Sequence, residues 1–306
     1  MSSPTRSYFW WSALARLTDW LPLWAGRRLL VLIGRRVGAD MAGYRAVCER
    51  LIETAAPGVR PFAARYWRRR PWVRYRRWGV TLRLDLRDNL QRCIYFTGRY
   101  EPATLAVIAD ALRSGGDFLD VGAHIGMHSF AAADAMSGRP GRVVAFEPTS
   151  DSAAKIRAAL ERSEHDIEVV QLGLSDRSGR LTLRADDDWG EHDAGVRSAY
   201  NRGAVIEEIA VERFDTWNRE HDFQPAVVKI DVEGAEYEVL RGMEELLRSH
   251  PPRVLVVELK DSMLSRSGHR APQIEGFLSS HGYRKSDVIE YNAVFIHAGT
   301  TWRSQT

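Results

Sequence analysis

From Tyr100 onward, short apolar runs alternate with segments whose apolar residues recur every three or four positions. No other feature constrains the fold as strongly. The runs Phe118–Val121, Arg142–Phe146, Ile167–Leu172, Val227–Ile230 and Val254–Glu258 are apolar and too short for helices, so they read as strands. Between and after them, Ala103–Arg113, Gly126–Met136, Ser152–Glu161, Ala235–Arg248 and Pro272–Ser280 read as helices, and Asn292–Ile296 as a closing strand. Apolar strands with interleaved helices predict a parallel sheet covered on both faces, an α/β fold. The stretch from Leu172 to Val227 reads as irregular. Within it residues 185–205, rich in Asp and Gly, read as a lid or mobile insertion over a substrate cleft.

Sheets of this kind bind ligands at the C-terminal ends of their strands, and the residues there are acidic. The first strand runs into Asp120-Val121-Gly122-Ala123-His124-Ile125-Gly126, with a helix starting at once. The spacing is Asp-x-Gly-x-x-x-Gly, not the Gly-x-Gly-x-x-Gly of a dinucleotide site. Asp120 at the strand tip would repel a pyrophosphate and attract a cationic amine, which favours S-adenosylmethionine over NAD. Glu147, 21 residues past Gly126 at the next strand tip, suits the ribose hydroxyls. Asp176, after the third strand, suits the adenine amino group, although Glu147 or Asp176 could instead cap a turn. Asp231, ending the fourth strand, would face the cofactor's methyl group and could take the proton of a hydroxyl nucleophile. Glu258, at the fifth strand tip, reaches the same rim. Glu233 and Glu236 open the next helix, where an acid is often only a partner of the helix dipole.

These motifs, in this order, resemble the FkbM family of methyltransferases: Asp-Val-Gly-Ala-His-Ile-Gly, Ala-Phe-Glu-Pro, Gly-Leu-Ser-Asp, Lys-Ile-Asp-Val-Glu-Gly-Ala-Glu (residues 229–236) and Val-Val-Glu-Leu. Gly98–Pro102 and Phe214-Asp215-Thr216-Trp217 match its flanking pattern, and the similarity covers roughly residues 79–297. The resemblance implies a Rossmann-like methyltransferase fold with a mostly parallel seven-stranded sheet and helices on both faces. It also implies S-adenosyl-L-methionine as cofactor and O-methylation of a sugar, glycolipid or secondary-metabolite hydroxyl. By the same resemblance Asp120, Gly122, Glu147 and Asp176 take cofactor roles, and Asp231, Glu233 and Glu236 lie near the reaction centre. Ala123, His124, Gly126 and Asp231 complete the candidate cofactor set, and Asp231, Glu258 and Glu233 are the candidate catalytic residues. His124 stands where Asn is commoner in the family, and Thr149-Ser150-Asp151 replaces an Asn-containing turn.

The first 100 residues differ in character, with 20 arginines, no lysine and 6 acids, and seven of the ten tryptophans. Residues 1–59 read as helical. An Arg/Trp-rich connector, Arg65–Arg77, leads to a small β-element at Val80–Leu86 and Cys93–Phe96. Two domains follow: a basic extension, 1–78, and the methyltransferase domain, 79–306. The extension would either pack on the domain or meet an anionic surface, including the inner face of a membrane as a peripheral contact. No run approaches the roughly 20 apolar residues of a membrane span, no secretory leader is evident, and Cys48 and Cys93 are too few for a disulfide framework. A cytoplasmic location is expected. No metal site is expected: His124 and His128 have ligand-like spacing, but His124 falls before the helix, and His192 and Asp186–Asp188 lie in the insertion. A nucleic-acid (RNA) methyltransferase using the basic region is the main rival. It is disfavoured because Asp231-Val232-Glu233-Gly234 lacks the prolines usual in base N-methylation. A non-catalytic binding protein on the same fold is the other alternative.

Overall fold

The computed structural model describes residues 71–98, 100–186 and 197–303. The helices expected in residues 1–59, residues 65–70 of the Arg/Trp connector, and residues 187–196 of the insertion, His192 among them, lie outside the described residues. The chain forms two compact units, one of residues 1–75 and 83–101, the other of 76–82 and 102–306.

Strands β1 (Trp72–Arg77) and β2 (Val80–Asp85) pair in a two-stranded sheet. Leu82, Leu84 and Leu86 are all buried, as their period-2 spacing predicts. Cys93–Phe96 corrects its expectation: it lies in a helix, α1 (Asn89–Thr97), not a strand. The apolar run Cys-Ile-Tyr-Phe is ambiguous by periodicity, and the end signals decide. Asp88 accepts a hydrogen bond from the Gln91 amide at 2.8 Å, and Gly98 stops the helix in the left-handed conformation.

The second unit is built on a seven-stranded sheet. After α2 (Pro102–Ala111) come β3 (Asp117–Val121), α3 (Met127–Ala135), β4 (Val143–Phe146), α4 (Ser150–Leu160) and β5 (Ile167–Val170). The chain then makes a smaller sheet from β6 (Gly173–Leu174), β7 (Gly179–Arg184) and β8 (Val205–Glu212), followed by α5 (Phe214–His221). It rejoins the main sheet through β9 (Pro225–Ile230), α6 (Glu236–Gly242), α7 (Glu244–Ser249) and β10 (Val254–Glu258). Finally α8 (Asp261–Leu264) and α9 (Ala271–Ser280) precede β11 (Tyr283–Ile289) and β12 (Asn292–His297). The strand order is β11-β12-β10-β9-β3-β4-β5, parallel from β5 to β10, with β12 antiparallel to both neighbours. This is the mostly parallel seven-stranded, Rossmann-like arrangement the sequence implies. The chain runs outward from β3 to β5 and returns on the other side at β9. The crevice between β3 and β9 is therefore the switch point where such sheets take ligands.

Two expectations change. The stretch after Leu172 is not wholly irregular, because it contains the second sheet, in which β8 pairs β7 antiparallel and β6 parallel. The single helix expected at Ala235–Arg248 is two, α6 and α7, meeting at Met243. Gly242 lies against the Ser175 carbonyl, where a Cβ would come within 2.0 Å of the oxygen. The Asp215 carboxylate accepts from the Glu245 and Leu246 amides at 3.0 and 3.1 Å, capping α7 as a new start. Below the site, Trp217 stands edge-on to Phe146 at 4.9 Å within a cluster that includes Phe214 and Phe223, fixing the β4 terminus.

Candidate active site

The loop from Asp120 to Gly126 crosses the switch point in a shape only certain residues permit. Gly122 and Gly126 have φ of +81° and +82°, and His124 has φ of +51°. Asn, Asp and His tolerate this left-handed region better than other side chains. That accounts for a His where the family more often has Asn. The Gly122 and Ala123 amides both donate to the Phe146 carbonyl, at 2.9 and 3.0 Å, so they brace the loop against β4. A Cβ on Gly122 would lie 1.8 Å from the Asp231 carbonyl oxygen, so the β3 and β9 tips touch backbone to backbone.

Asp120 is 1% exposed. Its Oδ2 accepts from Ser129 Oγ at 2.5 Å, while Oδ1 is buried with no hydrogen-bond partner among the described residues. Burial pushes its carboxyl above the usual range. A buried, half-satisfied carboxylate beside the switch point is the donor chemistry that an ammonium or sulfonium cation would complete. The residues therefore fit S-adenosylmethionine.

Glu147 performs the bland role foreseen for it and retains capacity for the other. Its Oε1 accepts from the Thr149 amide (2.9 Å) and hydroxyl (2.5 Å), and its Oε2 from the His124 amide (2.8 Å). Three of roughly four acceptor positions are used, which leaves one for a ribose hydroxyl. Burial raises its pKa to about 7 despite these donors. Asp176 lies apart. It follows β6 in the smaller sheet, pairs with Arg177 at 3.6 Å, and its carbonyl accepts from Arg213. None of its contacts among the described residues is with Asp120 or Glu147.

At the tips of β9 and β10, Asp231, Glu233 and Glu258 each place an oxygen within 4.8 Å of the other two. They differ in ionisation. Lys229, fully buried on the same face of β9, donates to Asp231 Oδ2 at 3.0 Å and lowers that carboxyl to about 2 against the opposing effect of burial. Glu233, at φ of +53°, has a buried Oε2 without a hydrogen-bond partner among the described residues, and burial raises it to about 8. Glu258 is 3% exposed, and burial with its acidic neighbours holds it well above the carboxylate range. Glu236 braces the loop: its Oε1 accepts from the Val232 and Gly234 amides, both at 3.1 Å. Its start-of-helix role is thus to shape the turn that presents Glu233.

Sequence reasoning passed over Lys229 and Lys260. The Lys-x-Asp spacing within a strand could have flagged the first, since residues i and i+2 share a face. Of the histidine pair, His128 is buried in α3 and His124 bends in the loop, and neither joins a metal-type cluster among the described residues.

A parallel sheet with an acidic, glycine-turned first loop and carboxylates along the next strand tips fits the class of S-adenosylmethionine-dependent methyltransferases. The chain belongs to the FkbM methyltransferase family, whose domain, the "Methyltransferase FkbM domain", matches residues 120–285. The cofactor of that class is S-adenosyl-L-methionine, as the resemblance implied. Among similar proteins, the hexuronic acid methyltransferase AglP of Haloferax volcanii is 29% identical over 132 residues, 42% of this chain and 51% of that protein. The AMB antimetabolite synthetase AmbE of Pseudomonas aeruginosa is 28% identical over 215 residues, 55% of this chain and 9% of that protein. The chain thus spans about half or less of the length of these relatives. A solved FkbM methyltransferase from Methylobacillus flagellatus KT is 16% identical, with 68% of this chain and 52% of that one covered and a TM-score of 0.41. Among the described residues, no helix is long and apolar enough to cross a membrane.

Proposed function

We propose that this chain transfers a methyl group from S-adenosylmethionine to a hydroxyl of a sugar, glycolipid or secondary metabolite. The observation that carries the reading is the convergence of Asp231, Glu233 and Glu258 at the strand tips beside the cofactor crevice. A carboxylate acceptor is already an anion and needs no base, whereas a hydroxyl must lose a proton as it is methylated. Similarity to a hexuronic acid methyltransferase supports a sugar-like acceptor.

When bound, S-adenosylmethionine supplies an already activated methyl group. Asp120 would hold its cationic end and Glu147 a ribose hydroxyl, with the Gly122–Gly126 loop shaping the crevice. Asp176 is proposed for the adenine amino group. Asp231 stays ionised and orients the acceptor hydroxyl. Glu233, with one free oxygen and a pKa of about 8, accepts its proton, and Glu258 shares in the titration. Most of the acceleration comes from holding the hydroxyl in place. The basic segment 1–78 is proposed to contact an anionic surface such as a lipid headgroup.

Calorimetry should show Asp120→Asn weakening cofactor affinity by about tenfold or more, the loss of one charge-assisted contact. Transfer of labelled methyl to a panel of uronic acids, neutral sugars and glycolipids tests the rest. An alkali-stable product indicates a methyl ether. A label released by mild alkali marks a carboxyl ester and overturns the hydroxyl reading.

A further inference from the structure

We infer that Lys260 is a positioning residue whose ammonium is the built-in counter-cation of the Asp231–Glu233–Glu258 cluster, standing where a divalent ion would otherwise bind. The inference rests on the reading that this cluster serves the acceptor.

Three carboxylate oxygens within 4.8 Å of one another make a set that a hard divalent cation could bind. Like charges at this spacing repel, so the ionised form of the cluster, the form a metal ion would bind, needs positive charge beside it. The chain supplies it from two sides. Lys229 reaches Asp231 from within the sheet, at 3.0 Å. Lys260 follows β10 by two residues, and its Nζ lies 2.5 Å from Glu258 Oε1. Its charge acts on Glu233, Glu258 and Asp231 together, as that of Lys229 does from within the sheet.

The position of Lys260 is itself fixed. Its ammonium stands 5.2 Å from the centre of the Tyr291 ring. The Leu259 amide donates to the Tyr291 carbonyl at 3.0 Å, so the backbone next to Lys260 is tied to the turn that carries the ring. The side chain is 28% exposed, enough to reach the cleft and too little to swing freely into water. A divalent ion entering the cluster would meet this ammonium at contact range, and Glu258 would have to leave one cation for the other. A fixed lysine also holds the three carboxylates at the strand tips before an acceptor arrives, which is the positioning role.

The test uses the full chain and Mn2+ alone, with no methyl acceptor, followed by electron paramagnetic resonance. The wild type and Lys260→Arg are expected to leave millimolar Mn2+ free. Lys260→Met is expected to bind it at least about tenfold more tightly, and a second change, Glu258→Gln, to remove the gain. Micromolar Mn2+ binding by the wild type, lost in Glu258→Gln, overturns the inference, as does Lys260→Met without gain in a chain whose circular dichroism is native. If Lys260→Met does not fold, the wild-type titration and Lys260→Arg still decide. Failure of methyl transfer by the wild type would defeat the functional reading and leave the Mn2+ result standing, so the two are separable. A role confined to packing would not move Mn2+ affinity.

Discussion

Glu233 meets two demands at once: a left-handed backbone that most side chains avoid, and a carboxyl that burial keeps protonated near neutral pH. A proton acceptor must be ionised before it can act, and it works best when its pKa is close to the working pH. The rate (kcat/KM) is therefore expected to rise with pH and to level off above about 8. Glu233→Gln should remove that limb and lower kcat by about 10²–10⁴-fold while leaving cofactor affinity unchanged. A variant that keeps the wild-type profile would assign the proton elsewhere in the cluster. Asp231 cannot supply such a limb, since Lys229 holds it ionised down to about 2. The acids were legible from the sequence because they stand at or just after the ends of apolar strands. Their different protonation states were not, because these depend on lysines and burial that only the folded chain brings together.

At the scale of elements, Asp215 shows how a motif can be recognised and its purpose missed. Phe214-Asp215-Thr216-Trp217 marks the family, but its Asp caps α7 and its Trp packs on Phe146. Asp215→Ala should cost about 1–2 kcal/mol of stability, the usual loss for a cap, and should be measurable by urea unfolding with cofactor affinity intact. Six of the seven strands of the main sheet could be read directly from their apolar runs, whereas the edge strand β11, polar and largely exposed, could not. The smaller sheet could not: β7 and β8 are half-exposed, mix Arg and Glu with Leu and Ile, and are held by pairing across the insertion. The α6–α7 break was likewise invisible, because it is imposed by the distant Ser175 carbonyl and Asp215 carboxylate.

For the whole molecule, the buried acids shape how stability varies with pH. Glu147 and Glu236 titrate near 7 and Glu233 near 8, all above the 4.5 of an unfolded glutamate. The folded chain then holds protons that the unfolded chain has released. The stability these groups contribute is full below about 4.5 and is lost as pH rises through 7 to 8. Asp231 acts oppositely, but only as pH falls from 3.8 toward 2. Scanning calorimetry of the cofactor-free protein should show Tm falling between pH 5 and 8, with a shallower fall in Glu236→Gln. A steady rise over that range would refute this account.

The contact between Gly122 and the Asp231 carbonyl has a consequence for binding. With no room for even a methyl group between them, the two strand tips cannot shift independently. Whatever settles the first loop therefore also settles the proton-accepting end of β9, and by thermodynamic reciprocity the acceptor must in turn favour the settled loop. The two substrates should accordingly bind with positive cooperativity, each raising the other's affinity by the same factor. Gly122→Ala, which forces the tips apart, should abolish that cooperativity along with about 2 kcal/mol of stability.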